Sequence, residues 1–173
     1  MDREDAESIL LEAGSAADGE FPLLDAAIAC AIHEDPARDP QVARDLGATG
    51  VERLSQRLKR ESPEEALAEA MAGDLRLSGD LFNVEDPGNA DIITVAERRR
   101  GIAVTLGIFY LHAGRRCGLP VQGVDFPAHF LLRIETEEGP LALDPFSVSM
   151  RSRKWAGKST PWTGRPQRRP ACR

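Results

Sequence analysis

Apolar residues recur every three or four positions through the N-terminal part of the chain, a spacing typical of amphipathic helices. The predicted helices cover residues 4–13, 21–34, 40–59 and 62–73. The third helix is weakened in its middle by Gly47 and Gly50, because glycine is a poor helix former. The fourth has a strong start, since Ser62 suits the N-cap and Pro63 suits the first turn. We therefore expect a helical N-terminal part.

The most apolar helix is predicted over residues 102–117. Its apolar positions lie almost all round the helix, which indicates a central and buried element. Gly118 follows it and provides a C-terminal cap. A polar loop over residues 73–90 and a short helix that begins at residues 89–91 and stops at Gly101 are expected before it.

After Gly118 the hydrophobic period shortens to two, which indicates β-strands. The predicted strands cover residues 120–126, 128–136 and 140–146. Glu138 and Gly139 lie between the last two strands and predict a hairpin turn. Helices come first and an antiparallel sheet follows, so the pattern predicts an α+β fold.

The formal net charge of −6 combines two unlike parts of the chain. Residues 1–150 hold 14 basic and 28 acidic side chains, whereas residues 151–173 hold 8 basic side chains and no acidic one. An acidic body repels nucleic acid and anionic lipid, so we expect no membrane partner, and nucleic acid could bind only through the basic tail. A solvated tail with no dedicated partner is the favoured interpretation. The tail, residues 147–173, contains three prolines and shows no periodicity, so we expect it to be disordered.

The three cysteines, Cys30, Cys117 and Cys172, are far apart, and the chain has no CxxC pair and no Cys/His cluster. This distribution predicts neither a disulfide framework nor a metal site, and we expect no cofactor. No segment is apolar enough over the length of a membrane span, and the acidic N-terminus is unlike a secretory signal. We therefore expect a cytoplasmic protein.

The run from residue 98 to residue 146 carries the candidate chemistry. It combines the buried helix, a Gly-Leu-Pro turn and strands that present His129 and Asp144. Papain-like thiol enzymes build a Cys-His-Asp site from a helix N-terminus that faces a histidine and an aspartate on strands. The helix start carries no cysteine here. The sequence therefore indicates a catalytic scaffold whose nucleophile is missing.

Residues from about 60 to 146 resemble the transglutaminase-like domain of the SirB family, which occurs in many bacteria. The resemblance is carried, in order, by Asn89-Ala90-Asp91, RRRGIAVTLGIFYLHAGRRCGLPV, GVDFPAHFLLR and LDPF. It implies one transglutaminase-like domain over residues 1–146, with a helical part over 1–72 and a papain-like core of helix and sheet over 73–146. The resemblance stops at Phe146, and the family has no settled biochemical activity.

Active members of the wider superfamily have a cysteine at the start of the central helix, a small residue four positions later and an arginine near the helix end. The resemblance puts Ala103 at the nucleophile position, Gly107 at the small position and Arg115 at the arginine position. It also matches His129 to the catalytic histidine and Asp144 to the catalytic aspartate. Two of the three catalytic positions are therefore occupied by the expected residue types.

Thr105 carries the hydroxyl group nearest to the nucleophile position. Two residues of a helix are ~200° apart, so Thr105 should face away from the direction of Ala103 and is a poor substitute. We favour a non-catalytic binding or regulatory module with an unidentified protein or peptide partner, in which a hydrogen bond to Asp144 holds His129. A hydrolase or acyl-transfer enzyme that uses His129 and Asp144 with Thr105 or water is the alternative. A third interpretation is a structural fragment with an altered C-terminus.

Other reactive or charged side chains have ordinary structural interpretations. His112 is expected to pack within the central helix, and Cys30 is expected in the core on the apolar face of its helix. Cys117 lies at a helix C-terminus, which should raise the pKa of its thiol. The basic run 98–100 is expected to be solvated or to pair with acids such as Asp91, and a binding patch is the alternative.

Overall fold

The computed structural model describes residues 1–17, 21–126, 129–137, 139–147 and 153–154. The helices are α1 (Arg3–Ser15), α2 (Leu23–Glu34), α3 (Gln41–Arg57), α4 (Pro63–Ala68), α5 (Ile92–Arg98) and α6 (Ala103–Arg116). The strands are β1 (Ser78–Gly79), β2 (Arg100–Gly101), β3 (Val121–Phe126), β4 (His129–Thr136), β5 (Gly139–Leu143) and β6 (Arg153–Lys154). Helices come first and the main sheet follows, so the predicted α+β fold is confirmed.

The helix predicted over residues 40–59 is continuous despite its two glycines. A Cβ added at Gly47 would lie 2.5 Å from a methyl carbon of Leu24 and 3.4 Å from Cδ2 of His112. At Gly50 the same atom would lie 3.1 Å from the terminal methyl carbon of Met71. The glycines therefore let neighbouring elements approach α3 closely, and this packing outweighs their weak helix propensity.

The fourth helix begins at Pro63, as predicted, and continues beyond Ala68 as π-helical turns over Glu69–Asp74. Ser62 precedes this helix but makes no capping hydrogen bond, and its Oγ is buried without a hydrogen-bond partner. The predicted helix start, with Ser62 at the N-cap and Pro63 in the first turn, is therefore confirmed, although the serine hydroxyl does not cap the helix.

The main sheet is an antiparallel meander in the order β3, β4, β5, β6. Val121 lies opposite Ile134 in the first pair of strands, and Leu132 lies opposite Leu143 in the second. Gly139 begins β5 with a φ of +112°, a backbone conformation that glycine adopts readily. The three predicted strands are thus confirmed, and Thr136 lies opposite Gly139 in the second pair. Glu138 of the predicted hairpin turn lies outside the described residues.

One short strand lies in the segment that was expected to be a disordered tail. The backbone of β6 pairs with β5, with Arg153 opposite Ala142 and Lys154 opposite Leu141. The expected disorder therefore does not extend to these two residues. The rest of the predicted tail beyond Ser147 lies outside the described residues.

The core is built around α6, which contacts α2, α3, β3 and β4. Leu106 and Phe109 are fully buried on this helix. Gly107 and Gly114 of α6 lie beneath Phe130 and Val121 of the sheet, because a Cβ at either glycine would overlap those side chains. The prediction of a central, buried helix is confirmed.

A short parallel pair of strands joins the loop before α5 to the start of α6. Ser78 lies opposite Arg100, and Gly79 lies opposite Gly101. The backbone N–H of Gly79 donates to the carbonyl of Phe146 at 3.0 Å, and a Cβ at Gly79 would lie 2.5 Å from the Phe146 ring. The Asp-Pro-Phe segment that follows β5 is therefore docked beside the start of α6.

The N-terminus of α5 is capped by Asp91. Its carboxylate accepts the backbone N–H of Thr94 at 2.7 Å and a hydrogen bond from Arg38, which also donates to the Thr94 hydroxyl at 2.9 Å. Burial raises the pKa of Asp91, but the hydrogen bonds from Thr94 and Arg38 outweigh burial and hold that pKa below its usual range. The ionised carboxylate therefore stabilises the folded state.

We expect Asp91→Asn to lower the free energy of unfolding by about 1–2 kcal/mol at neutral pH. Because the folded-state pKa is lowered, the charge contributes stability above the unfolded-state pKa of about 3.9, and this contribution is lost as pH falls through the folded-state pKa. Urea unfolding of both proteins between about pH 7 and about pH 3 measures the difference. A difference that does not shrink towards acid pH would contradict the electrostatic part of this prediction.

Candidate functional site

The start of α6 is the place at which a thiol nucleophile would be expected. Ile102 is the N-cap residue, and no side chain caps this helix end. The backbone N–H of Ile102 donates to the carbonyl of Asn89 at 3.1 Å. Ala103 is partly exposed, and Val104 is 50 % exposed. The helix end is therefore open to solvent, but it carries aliphatic side chains where a nucleophile would stand.

A buried asparagine connects this helix end to the preceding loop. Asn89 is 1 % exposed, and its Nδ2 donates to the carbonyl of Asn83 at 2.7 Å. Because the Asn89 carbonyl also accepts from Ile102, one residue holds both the loop and the start of α6. The sequence predicted only a helix start at residues 89–91. The polar Asn89 in that motif was the one sequence feature that could have indicated this connection.

His129 lies on the face of the main sheet away from α6. Along β4, Leu132 and Ile134 are buried, and the Phe130 ring packs over Gly107 of α6. Successive side chains of a strand point to opposite faces, so His129 belongs to the other face, and it is exposed. The histidine therefore does not face the start of α6 as a Cys-His-Asp site would require.

Asp144 is engaged by the turn that follows β5. Its carboxylate accepts the backbone N–H of Phe146 at 2.8 Å and the hydroxyl of Ser147 at 2.9 Å. Burial raises the pKa of Tyr110 on α6, and the nearby charge of Asp144 raises it further. No hydrogen bond joins Asp144 to His129, although both belong to the described part of the chain, so the expected bond is absent. Their catalytic roles stay predictions.

Thr105 is 3 % exposed, whereas Ala103 two residues earlier is partly exposed. The two side chains therefore face different directions, as the helical separation of ~200° predicts. A hydroxyl group buried in this way has no access to a substrate at the start of α6. The geometry gives no support to Thr105 as a nucleophile.

The described cysteines, Cys30 and Cys117, lie outside the first turn of α6 in sequence. Cys117 follows the opposite end of this helix, and its Sγ lies 3.6 Å from the carbonyl of Val51. Cys30, which was expected in the core, is exposed. It is two residues from both Ile28 and Ile32 on α2, and residues two apart lie on nearly opposite sides of a helix. The third cysteine lies outside the described residues.

Burial raises the pKa of the Cys117 thiol, and the charge of Arg116 opposes this effect less strongly. The direction agrees with the expectation, but the pKa of the thiol is raised by burial. We expect a variant that retains only Cys117 to show half-maximal alkylation by iodoacetamide above the pH of about 8.5 that is typical of a free thiol. A variant that retains only the exposed Cys30 is the control and should react faster. A midpoint for Cys117 at or below about pH 8.5 would overturn the prediction.

Two further interpretations can be compared with the structure. His112 packs against Gly47 of α3, and burial lowers its pKa, so its assignment as a packed helix histidine is confirmed. Arg98 forms an ion pair with Asp86 at 2.7 Å rather than with Asp91. The expected pairing of the basic run with an acid is therefore confirmed for Arg98, and Asp91 is not its partner because Arg98 lies two turns, or ~10 Å, along α5 from that N-cap residue.

In the described part of the chain, no three or more His, Cys, Asp or Glu side chains are grouped so that they could hold a metal ion. None of the helices described there is both long and apolar enough to span a bilayer.

Comparison with known proteins assigns the chain to a family. A family model described as the transglutaminase-like superfamily matches residues 42–156. The match begins in α3, includes α6 and the main sheet, and continues through β6. It therefore extends past Phe146, where the resemblance was expected to stop. No solved structure matches the chain significantly.

Curated relatives support the same assignment. A UPF0162 protein of Xylella fastidiosa is 32 % identical over 134 residues, which is 75 % of this chain and 48 % of that protein. A UPF0162 protein of Vibrio cholerae is 42 % identical over 71 residues, covering 40 % and 26 % of the two chains. F-box only protein 21 of Mus musculus is 32 % identical over 69 residues, covering 40 % and 11 %. The chain thus spans at most about half the length of these relatives, and it belongs to the transglutaminase-like superfamily.

Proposed function

We propose that this chain is a SirB-family domain that lacks the nucleophilic cysteine and acts as a non-catalytic binding or regulatory module for a protein or peptide partner. The observation that carries the proposal is the start of α6, which is accessible but offers Ala103 and Val104 in place of a thiol. The proposal places the domain in the cytoplasm. Because the chain spans about half the length of its first curated relative, it concerns this domain and not a whole protein.

The positions of the other catalytic candidates support the same proposal. A general base must reach the proton that it takes, either directly or through one water molecule. His129 lies on the sheet face away from α6, and the Asp144 carboxylate is hydrogen-bonded to its own turn. A hydrolase that uses His129 and Asp144 with Thr105 or water would require His129 to move to the other face of the sheet and Asp144 to give up its hydrogen bonds in the turn. We therefore favour binding over hydrolysis.

A thiol introduced at the nucleophile position tests the proposal. Ala103→Cys is made in a background that carries Cys30→Ser, Cys117→Ser and Cys172→Ser, and alkylation by iodoacetamide is followed against pH. The free N–H groups of a helix end stabilise a thiolate, so its pKa should fall somewhat below about 8.5 without help from a histidine. We expect the midpoint to be the same when His129→Ala is added.

Val104→Cys in the same background is the matched control, because it shares the helix end but points about 100° away. A midpoint at position 103 that is far below that at position 104, and that rises in His129→Ala, would show an assembled catalytic pocket. That result would contradict the proposal. Turnover of ester or amide substrates by the unmodified protein that is lost in His129→Ala would contradict it as well.

A further inference from the structure

Three large apolar side chains are exposed on the loop that follows β1. Leu81 is 74 % exposed, Phe82 is 89 % exposed and Val84 is 60 % exposed. Single exposed apolar side chains are normal on a protein surface, whereas a contiguous group of them marks an interaction site. The other exposed large apolar side chains in the described ranges, Leu11 and Val104, are isolated in sequence. We call Leu81, Phe82 and Val84 the loop patch.

Hydrogen bonds hold this loop in a defined conformation. The Asp80 carboxylate accepts the backbone N–H groups of Phe82 at 3.0 Å and of Asn83 at 3.1 Å. The carbonyl of Asn83 accepts from Nδ2 of Asn89 at 2.7 Å. The backbone N–H of Asp80 donates to the carbonyl of Gly101 at 3.2 Å. The exposure of the loop patch is therefore built into the fold, and burying it against a partner requires little further ordering of the backbone.

One cation and one anion border the loop patch. Arg100 is exposed, and its guanidinium carbon lies 6.0 Å from the centre of the Phe82 ring. Glu85 is also exposed and directly follows Val84. Neither charge takes part in an ion pair with another described residue. The patch therefore has an apolar centre with one accessible positive charge and one accessible negative charge beside it.

The other acidic groups of the loop are engaged within the chain. The Asp80 carboxylate is bonded to the loop backbone, and Asp86 forms an ion pair with Arg98 at 2.7 Å. The charges that remain available to a partner, those of Arg100 and Glu85, sum to zero. Two copies of the chain, each with a net charge of −6, repel one another in most orientations, but this neutral patch is a place at which they can approach.

We infer that the loop patch binds the same patch on a second copy of this chain. In a two-fold symmetric pair, a residue that contacts a second residue of the other copy is matched by the reciprocal contact. Arg100 of each copy then pairs with Glu85 of the other, and the apolar side chains pack between the two pairs. A patch with one charge of each sign is complementary to itself, so a second copy suits it better than a partner with charges of one sign.

The size of the loop patch indicates a weak dimer. Full burial of a phenylalanine side chain removes about 150–250 Å² from water. A standard interface buries about 800 Å² on each partner, so three side chains and their borders provide less than that area. We therefore expect a dimer that dissociates on dilution, with a dissociation constant of about 10 μM or weaker. The inference goes beyond the proposed function, because it does not depend on the chemistry at the start of α6.

Sedimentation of the full chain over a range of concentrations measures the association. Leu81→Ser and Phe82→Ser should each raise the dissociation constant by about ten-fold or more, because each removes apolar contacts from both copies. Leu11→Ser is the matched control, since Leu11 is 76 % exposed on α1, and it should have no effect. A chain that is monomeric at about 1 mM, or equal effects of Leu81→Ser and Leu11→Ser, would overturn the inference.

A charge exchange tests the pairing across the dimer. Glu85→Arg leaves two cations beside the patch and Arg100→Glu leaves two anions, so each variant alone should associate at least about ten-fold more weakly than the unmodified chain. An equimolar mixture of the two variants should associate again, because each supplies the charges that the other lacks. Glu12→Arg is the control, because it changes the net charge by the same amount as Glu85→Arg at an exposed position of α1.

The mixture also separates a lost contact from a lost fold, because a variant that does not fold cannot regain association in it. If both variants have the circular dichroism of the unmodified chain and their mixture stays monomeric, the inference is overturned. Association between the basic tail of one copy and the acidic body of another would persist in Phe82→Ser and in Glu85→Arg, and this result would overturn it as well. A monomer that binds a different protein through Phe82 would assign the patch to that partner and not to a second copy.

Discussion

Phe109→Ala is expected to lower the free energy of unfolding by about 3–5 kcal/mol, the range typical of a fully buried phenylalanine. The ring is 1 % exposed and belongs to the core cluster around α6, the helix that contacts both the helical part and the main sheet. Removal of the ring leaves a cavity. The surrounding helices and strands are densely packed, so they cannot move enough to fill it. Urea unfolding followed by circular dichroism measures the loss.

Val104→Ala on the same helix is the control for Phe109→Ala. Val104 is 50 % exposed, so its truncation removes little buried surface and should cost less than about 1 kcal/mol. Equal losses in the two variants would mean that α6 is not the centre of the core. A loss below about 2 kcal/mol for Phe109→Ala would mean that the surrounding side chains collapse into the cavity.

Gly107→Ala is expected to lower the free energy of unfolding by about 1–3 kcal/mol, although alanine is the better helix former. A Cβ at this position would overlap Cε1 of the Phe130 ring, which is held on β4 between two paired strands. The helix must therefore move away from the sheet, or the ring must leave its position. Thermal unfolding of the variant and the unmodified chain measures the effect.

Gly14→Ala is the matched control, because nothing lies within 4 Å of a Cβ added at Gly14 of α1. There the same substitution should raise the free energy of unfolding by up to about 1 kcal/mol, so the two changes have opposite signs. Phe130→Leu should recover part of the loss in Gly107→Ala and little in the unmodified background. If Gly107→Ala is as stable as Gly14→Ala, the close approach of α6 to the sheet is wrong.

The fold class, the helices and the strands of the main sheet could be predicted because hydrophobic periodicity is a local property. The period changes from near four to two after Gly118, and the structure changes from helix to sheet there. Gly47 and Gly50 were the exception. Their effect on α3 depends on Leu24 and Met71, which are distant in sequence, and no local pattern contains that information.

The candidate site was predicted less well than the fold, for a related reason. Periodicity located the start of α6, and the family resemblance implied that Ala103 occupies the nucleophile position, but neither revealed on which sheet face His129 lies. That face depends on the register of β4, and a shift of one residue would exchange His129 with Phe130. Ion pairing was similarly unpredictable, since Arg38 approaches Asp91 from a loop 53 residues away.

The pairing of β1 with β2 and with Phe146 makes two backbone amides reporters of the fold around α6. The N–H of Gly79 is bonded to the Phe146 carbonyl, and the N–H of Asp80 is bonded to the Gly101 carbonyl. The first bond joins the loop to the segment after β5, and the second joins the loop to the start of α6, so the two bonds together require that all three parts are assembled. Hydrogen exchange at these two amides would therefore measure the opening of that assembly as one cooperative unit.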